Sequence, residues 1–173
     1  MSDELILCSD PLAAPLPEVL GRFGLEIHWV DHSEAIPGSF WGDSEAGLVG
    51  KRLYLRDDTP LHSALHEACH YVCMDSTRRN HLHTDAGGDY DEENGVCYLQ
   101  ILLADQFPGV GRTRLQQDMD AWGYSFRLGS AAAWFEQDAQ DAFEWLLHHQ
   151  IVDNVGRPTW VLRETHPIET KFG

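Results

Sequence analysis

An α+β fold is the expectation for this chain, with a small antiparallel sheet near its start and helices packed on it. Three observations lead there. Alternation of apolar and polar residues is confined to the first third of the sequence, helical spacing takes over after Pro60, and polar or Gly/Pro-rich stretches separate the segments. A length of 173 residues suits one domain, residues 1–173, that buries a core without disulfides. It divides into strands and loops over 1–58, two central helices over 59–106 and a helical part over 107–173.

Residues 1–24 read as a Pro-rich loop after a short apolar start, with a brief helix over 17–23. LEIHWVD (25–31) alternates apolar and polar residues, the pattern of a strand. SFWGDSEAG (39–47) is turn-rich, and LVGKRLYLRDD (48–58) returns to alternation with Leu53 and Leu55 on one face. Thr59 then suits an N-cap and Pro60 a first helical position, while Leu61, Leu65, Ala68 and Val72 recur at helical spacing. This helix is expected to run to about Met74. A polar loop, DSTRRNHLHTDAGGDYD (75–91), leads to a second helix from about Asp91 to about Gln106, stopped by Pro108 and Gly109. Further helices are expected over 112–122 and, from a Ser130 cap, over 131–151. PTWVLRE (158–164) reads as a strand or an extended tail.

Charge narrows the partners. Asp and Glu number 28 against 12 Lys and Arg, a formal net charge of −16, which repels phosphate backbones and gives no attraction to an anionic membrane. The first residues place Asp3 and Glu4 where a signal peptide needs positive charge, and no apolar run approaches a membrane span. The expectation is a cytoplasmic protein whose four cysteines, Cys8, Cys69, Cys73 and Cys97, are reduced thiols.

The chemistry concentrates in LHSALHEACHYVCMD (61–75), which contains His66-Glu67-Ala68-Cys69-His70, an H-E-x-x-H. On a helix, residues four apart share a face, so His66 and His70 can address one ion. Glu67 lies about a hundred degrees round the helix, within reach of a water on that ion. Zinc with three protein ligands retains a place for such water and lowers its pKa, so Glu67 suits a general base. A Gly-x-x-His extension of the motif is excluded, because Cys73 and Ser76 occupy those positions. A glutamate on the following helix is the other known source of a third ligand, and DEENGVC offers Glu92 and Glu93 roughly twenty residues downstream. Glu92 lies with the apolar stripe of Val96, Leu99 and Leu103, and a buried carboxylate needs a partner. Glu92 is therefore the expected third ligand and Glu93 the runner-up.

ALHEACHYVC followed by EENGVCYLQILLAD resembles the two active-site helices of gluzincin metallopeptidases. More remotely, it is similar to the small cytosolic ImmA/IrrE-type enzymes, whose second helix also opens with Glu and ends in a Leu pair, here Leu102-Leu103. The pattern departs at Val96, where the family has Asn four residues after the ligand, and no helix-turn-helix precedes the motif, so DNA binding and repressor cleavage do not carry over. The resemblance implies a zincin-like fold, a bound zinc ion and hydrolysis of a peptide or protein substrate. It further implies that KRLYLRD (51–57) lines the cleft and offers a sheet edge to an extended substrate.

Other readings compete for the same residues. His81 and His83 lie in the loop between the helices, where they either assist the site or are simply solvated. Cys69 and Cys73 suit a structural zinc site, but without a C-x-x-C they read better as small core residues. Nothing in the sequence supplies the geometry of a thiol peptidase based on Cys69 or Cys97. TDAGGDYDEEN lacks the ligand spacing of a calcium loop, and the aromatic stripe of Trp134, Phe135, Phe143, Trp145 and Leu146 reads as core. The alternative to an enzyme is a non-catalytic zincin-like metal-binding module that docks a protein partner.

Overall fold

Leu53 and Leu55 are completely withdrawn from solvent, and the strand that carries them lies at the centre of the sheet. The computed structural model describes residues 4–39, 44–80 and 88–163. Its sheet comprises β1 (Glu26–Trp29), β2 (Gly47–Val49) and β3 (Arg52–Leu55) in the order β1-β3-β2. The expected antiparallel sheet is corrected to a mixed one. β1 runs parallel to β3, with Ile27 beside Leu53, and β2 runs antiparallel to β3, with Leu48 beside Leu53. The segment read as one strand over 48–58 is in fact a hairpin, because Gly50, at φ 59°, permits a two-residue turn with Lys51. The same turn corrects a second expectation: β3, inside KRLYLRD, is flanked on both sides, so it offers no free edge.

Helix α1 (Leu16–Gly21) precedes the sheet, and α2 (Leu61–Cys73) follows it. Pro60 takes the N-cap position of α2, one residue later than expected of the cap. Thr59 instead accepts a hydrogen bond from the Arg56 backbone N–H at 2.9 Å, and the Leu61 N–H is satisfied by the Ile6 carbonyl at 2.7 Å. Leu61, Ala64, Leu65, Ala68 and Val72 are all within 1 % of full burial, each leucine contributing about 1.5–3 kcal/mol of transfer free energy.

A short helix, α3 (Ser76–Asn80), stands where the sequence suggested only loop. Asp75 accepts from the Arg78 N–H and so caps it. Arg79 turns back from α3 to donate to the carbonyls of Tyr71 and Met74, satisfying carbonyls at the buried C-terminal end of α2. Helix α4 (Tyr90–Leu103) starts from Asp89, whose side chain accepts from the Glu92 N–H, and runs into a 3-10 turn at Ala104–Gln106. α5 (Gly111–Trp122) follows. The single helix expected over 131–151 is two, α6 (Ala131–Gln137) and α7 (Gln140–His148). Ser130 caps α6 as expected, but Asp138 leaves the helical conformation with its carboxylate held by both nitrogens of an Arg127 fork.

α4 is sandwiched between α2 and α7, and α2 also packs on β2 and β3. Gly95 allows the second contact: a Cβ there would lie 2.7 Å from the Trp145 ring. Trp134 and Leu146 are buried and Phe135, Phe143 and Trp145 pack against the core, so the aromatic stripe is structural. Of 158–164, the described part is an extended tail rather than a strand, with the Arg163 N–H on the Val72 carbonyl at 2.9 Å. No helix among the described residues is long and apolar enough to cross a membrane.

Candidate metal centre

Helical spacing on α2 stacks His66 and His70 with ring centroids 4.7 Å apart, nearly perpendicular to each other. Facing them from α4 is Glu93. Its Oε1 lies 3.2 Å from His66 Nε2 and its Oε2 lies 3.4 Å from His70 Nε2. One carboxylate thus touches both histidines of the motif, and it belongs to the residue ranked second by sequence.

The structure does not bring Glu92, the expected third ligand, to the histidines. Glu92 is buried, as its place on the apolar stripe predicts, and is 2 % exposed. Its partners are two arginines: Arg78 from α3 and, at 3.0 Å, Arg163 from the C-terminal segment. Both oxygens are therefore occupied. Burial pushes the Glu92 carboxyl pKa up, and the two guanidiniums oppose that without reversing it.

His66 is also held from behind. Its Nδ1 meets Gln100 Oε1 at 2.9 Å, while Gln100 Nε2 donates to the His62 carbonyl at 2.8 Å and to the Tyr124 hydroxyl at 3.2 Å. Those donations orient the amide so that its oxygen faces His66. The imidazole must then carry a proton on Nδ1, which leaves Nε2 turned towards Glu93 and His70. Gln100 is fully buried, so the arrangement is fixed within the core.

The histidines and the carboxylate pair with one another. Burial opposes a charge on His66, yet Tyr124, Cys97 and Glu93 around the ring hold its pKa well above the ordinary histidine value. Burial likewise pushes Glu93 up, but the His66 hydrogen bond and the positive charges of His70 and His66 bring it below the usual carboxylate range. The two shifts agree in describing a site that attracts positive charge to Glu93.

The donor set fits a metal. Ligand-type atoms of His66, Glu67 and His70 lie within 4.8 Å of one another, as do those of His66, Glu93 and Cys97. A tetrahedral zinc ion holds nitrogen and oxygen donors about 2.0–2.2 Å away, hence roughly 3.3–3.6 Å apart, close to the separations of Glu93 from each histidine. A third group, His32, Asp57 and Asp58, is largely exposed, with Asp57 bonded to His32 and Asp58 to Arg56.

Several residues here went unnoticed in sequence. His62 stands one turn before His66, so α2 carries histidine at 62, 66 and 70; that period was legible. His62 is 1 % exposed, wedged edge-on against Trp122 and Tyr124, and burial drives its pKa down to about 3. Tyr124 reaches the site from the end of α5, its hydroxyl pKa pushed up to about 12 by burial. No spacing rule would have brought Tyr124 or Gln100 to His66. Cys69 and Cys73 are free, fully buried thiols that join no metal-type cluster among the described residues. His81 and His83 lie outside the described residues, as does most of the acidic loop before α4. Comparison with models of protein families, with curated proteins and with solved structures finds no match.

Proposed function

We propose that this chain is a zinc-dependent peptidase, with His66, His70 and Glu93 as metal ligands and Glu67 as general base. The observation that carries the reading is the Glu93 carboxylate set against Nε2 of both motif histidines, at 3.2 and 3.4 Å. Zinc, when bound, supplies Lewis acidity and lowers the pKa of a coordinated water towards about 7.

The protein's own residues supply the rest. Gln100 keeps the His66 proton on Nδ1 and so keeps Nε2 available as a ligand. Glu67, in the same cluster as His66 and His70, accepts a proton from the attacking water and passes it to the departing amine of a peptide substrate.

Zinc analysis of the parent and of Glu67→Gln, with a mixed peptide library read by mass spectrometry, tests this reading. One zinc per chain is expected in both proteins, with hydrolysis lowered about 10²–10⁴-fold in the variant. No zinc after zinc-replete expression, or equal hydrolysis by both, overturns the enzyme. One zinc in both with no peptide cleaved by the parent favours the metal-binding module that docks a protein partner.

A further inference from the structure

α2 and α4 each present a pair of donors one turn apart: His66 and His70 on the first, Glu93 and Cys97 on the second. The helices pack directly against each other, and the pairs meet across that contact. The Cys97 sulfur belongs to the same cluster as the donor atoms of His66 and Glu93, all within 4.8 Å of one another. Among the described residues no other cysteine enters such a cluster; Cys8, Cys69 and Cys73 are free, buried thiols.

We propose that Cys97 is a fourth protein ligand of the metal, closing the site in its resting state. Two imidazoles, one carboxylate and one thiolate form a donor set that suits tetrahedral zinc, and the longer zinc–sulfur bond, about 2.3 Å, accommodates a side chain on the far turn of α4. The thiol loses its proton on coordination. Cys97 then occupies the position that hydrolytic water needs. Exchange breaks the sulfur–metal bond, water enters, and the released thiolate takes up a proton from solvent, so no oxidant or reductant is involved. This inference rests on the metal-centre reading and adds to it a built-in occupant of the catalytic position.

Cobalt(II) is the probe, because thiolate coordination gives a near-ultraviolet charge-transfer band that nitrogen and oxygen ligands do not. The parent is expected to bind one cobalt per chain with this band. Cys97→Ser should still bind one cobalt but lack the band, and should bind zinc on the order of 10–100-fold more weakly. One cobalt in the parent without the band overturns Cys97 as a ligand and leaves the metal centre standing. A band that persists in Cys97→Ser also overturns it. Failure of the parent to bind cobalt or zinc overturns both the inference and the metal centre. Should Cys97→Ser and Cys97→Ala both fail to fold, alkylation of the parent decides. Zinc should slow modification of Cys97 at least about tenfold relative to Cys69, and equal slowing of both thiols overturns the proposal.

Discussion

His66 Nδ1 and Gln100 Oε1 meet at 2.9 Å across the α2–α4 contact, and this one hydrogen bond determines which nitrogen of His66 faces the candidate metal. Gln100 has no freedom to reverse its amide, since its nitrogen is committed to the His62 carbonyl and to Tyr124. A side chain outside the proposed ligand set thus orients one within it.

Gln100→Leu should therefore weaken zinc binding by about 10–100-fold, measured by competition with a chelator. It should also destabilise the metal-free protein by roughly 1–3 kcal/mol, because the His62 carbonyl and His66 Nδ1 both lose a buried partner. Unchanged zinc affinity would remove Gln100 from the site and leave it a core residue.

The neighbouring glutamates should separate cleanly. Glu93→Ala removes the carboxylate shared by both histidines and is expected to abolish stoichiometric zinc binding. Glu92→Ala leaves those contacts intact and should retain zinc. Its cost falls on stability instead, about 1–3 kcal/mol in urea denaturation, since Arg78 and Arg163 lose their common partner. That figure lies below the loss for a fully buried pair because both arginines are partly exposed. Zinc loss in Glu92→Ala with retention in Glu93→Ala would reverse the assignment.

His62 makes a pH prediction for the metal-free protein. Its folded pKa is depressed, from 6.5 to about 3, by burial and by the nearby charge of His66. Below pH 6.5 the unfolded chain binds a proton at this position that the folded chain refuses until about pH 3, so folding stability falls as pH falls through that window. The slope from this group approaches about 1.4 kcal/mol per pH unit. His62→Gln removes it, so the difference in unfolding free energy between variant and parent should shift in the variant's favour as pH drops from 7 to 4. A difference that stays constant with pH would show that His62 takes up its proton normally in the fold.

How far the sequence revealed this site depends on the kind of signal. α2 was legible because Pro60 and a four-residue apolar period act locally, and the H-E-x-x-H on it needed nothing but helical geometry. α4 was legible as a helix, but not as to which glutamate faces α2. It is buried around most of its circumference, with Val96, Leu99, Gln100, Ile101 and Leu103 all fully buried, so an apolar stripe cannot single out one face. The rule that a buried carboxylate needs a partner held for Glu92; its partners came from α3, hidden in an apparently polar loop, and from Arg163, far along the chain. The sheet failed in the same way at Gly50, where one residue with a positive φ turned an apparent single strand into a hairpin and reordered the strands.

Anomalous scattering at the zinc edge, from crystals of the zinc-loaded protein, tests the metal assignment most directly. One peak is expected between α2 and α4, bonded to Nε2 of His66, Nε2 of His70 and a carboxylate oxygen of Glu93. A peak bonded to Glu92, or no peak between these helices, would contradict it.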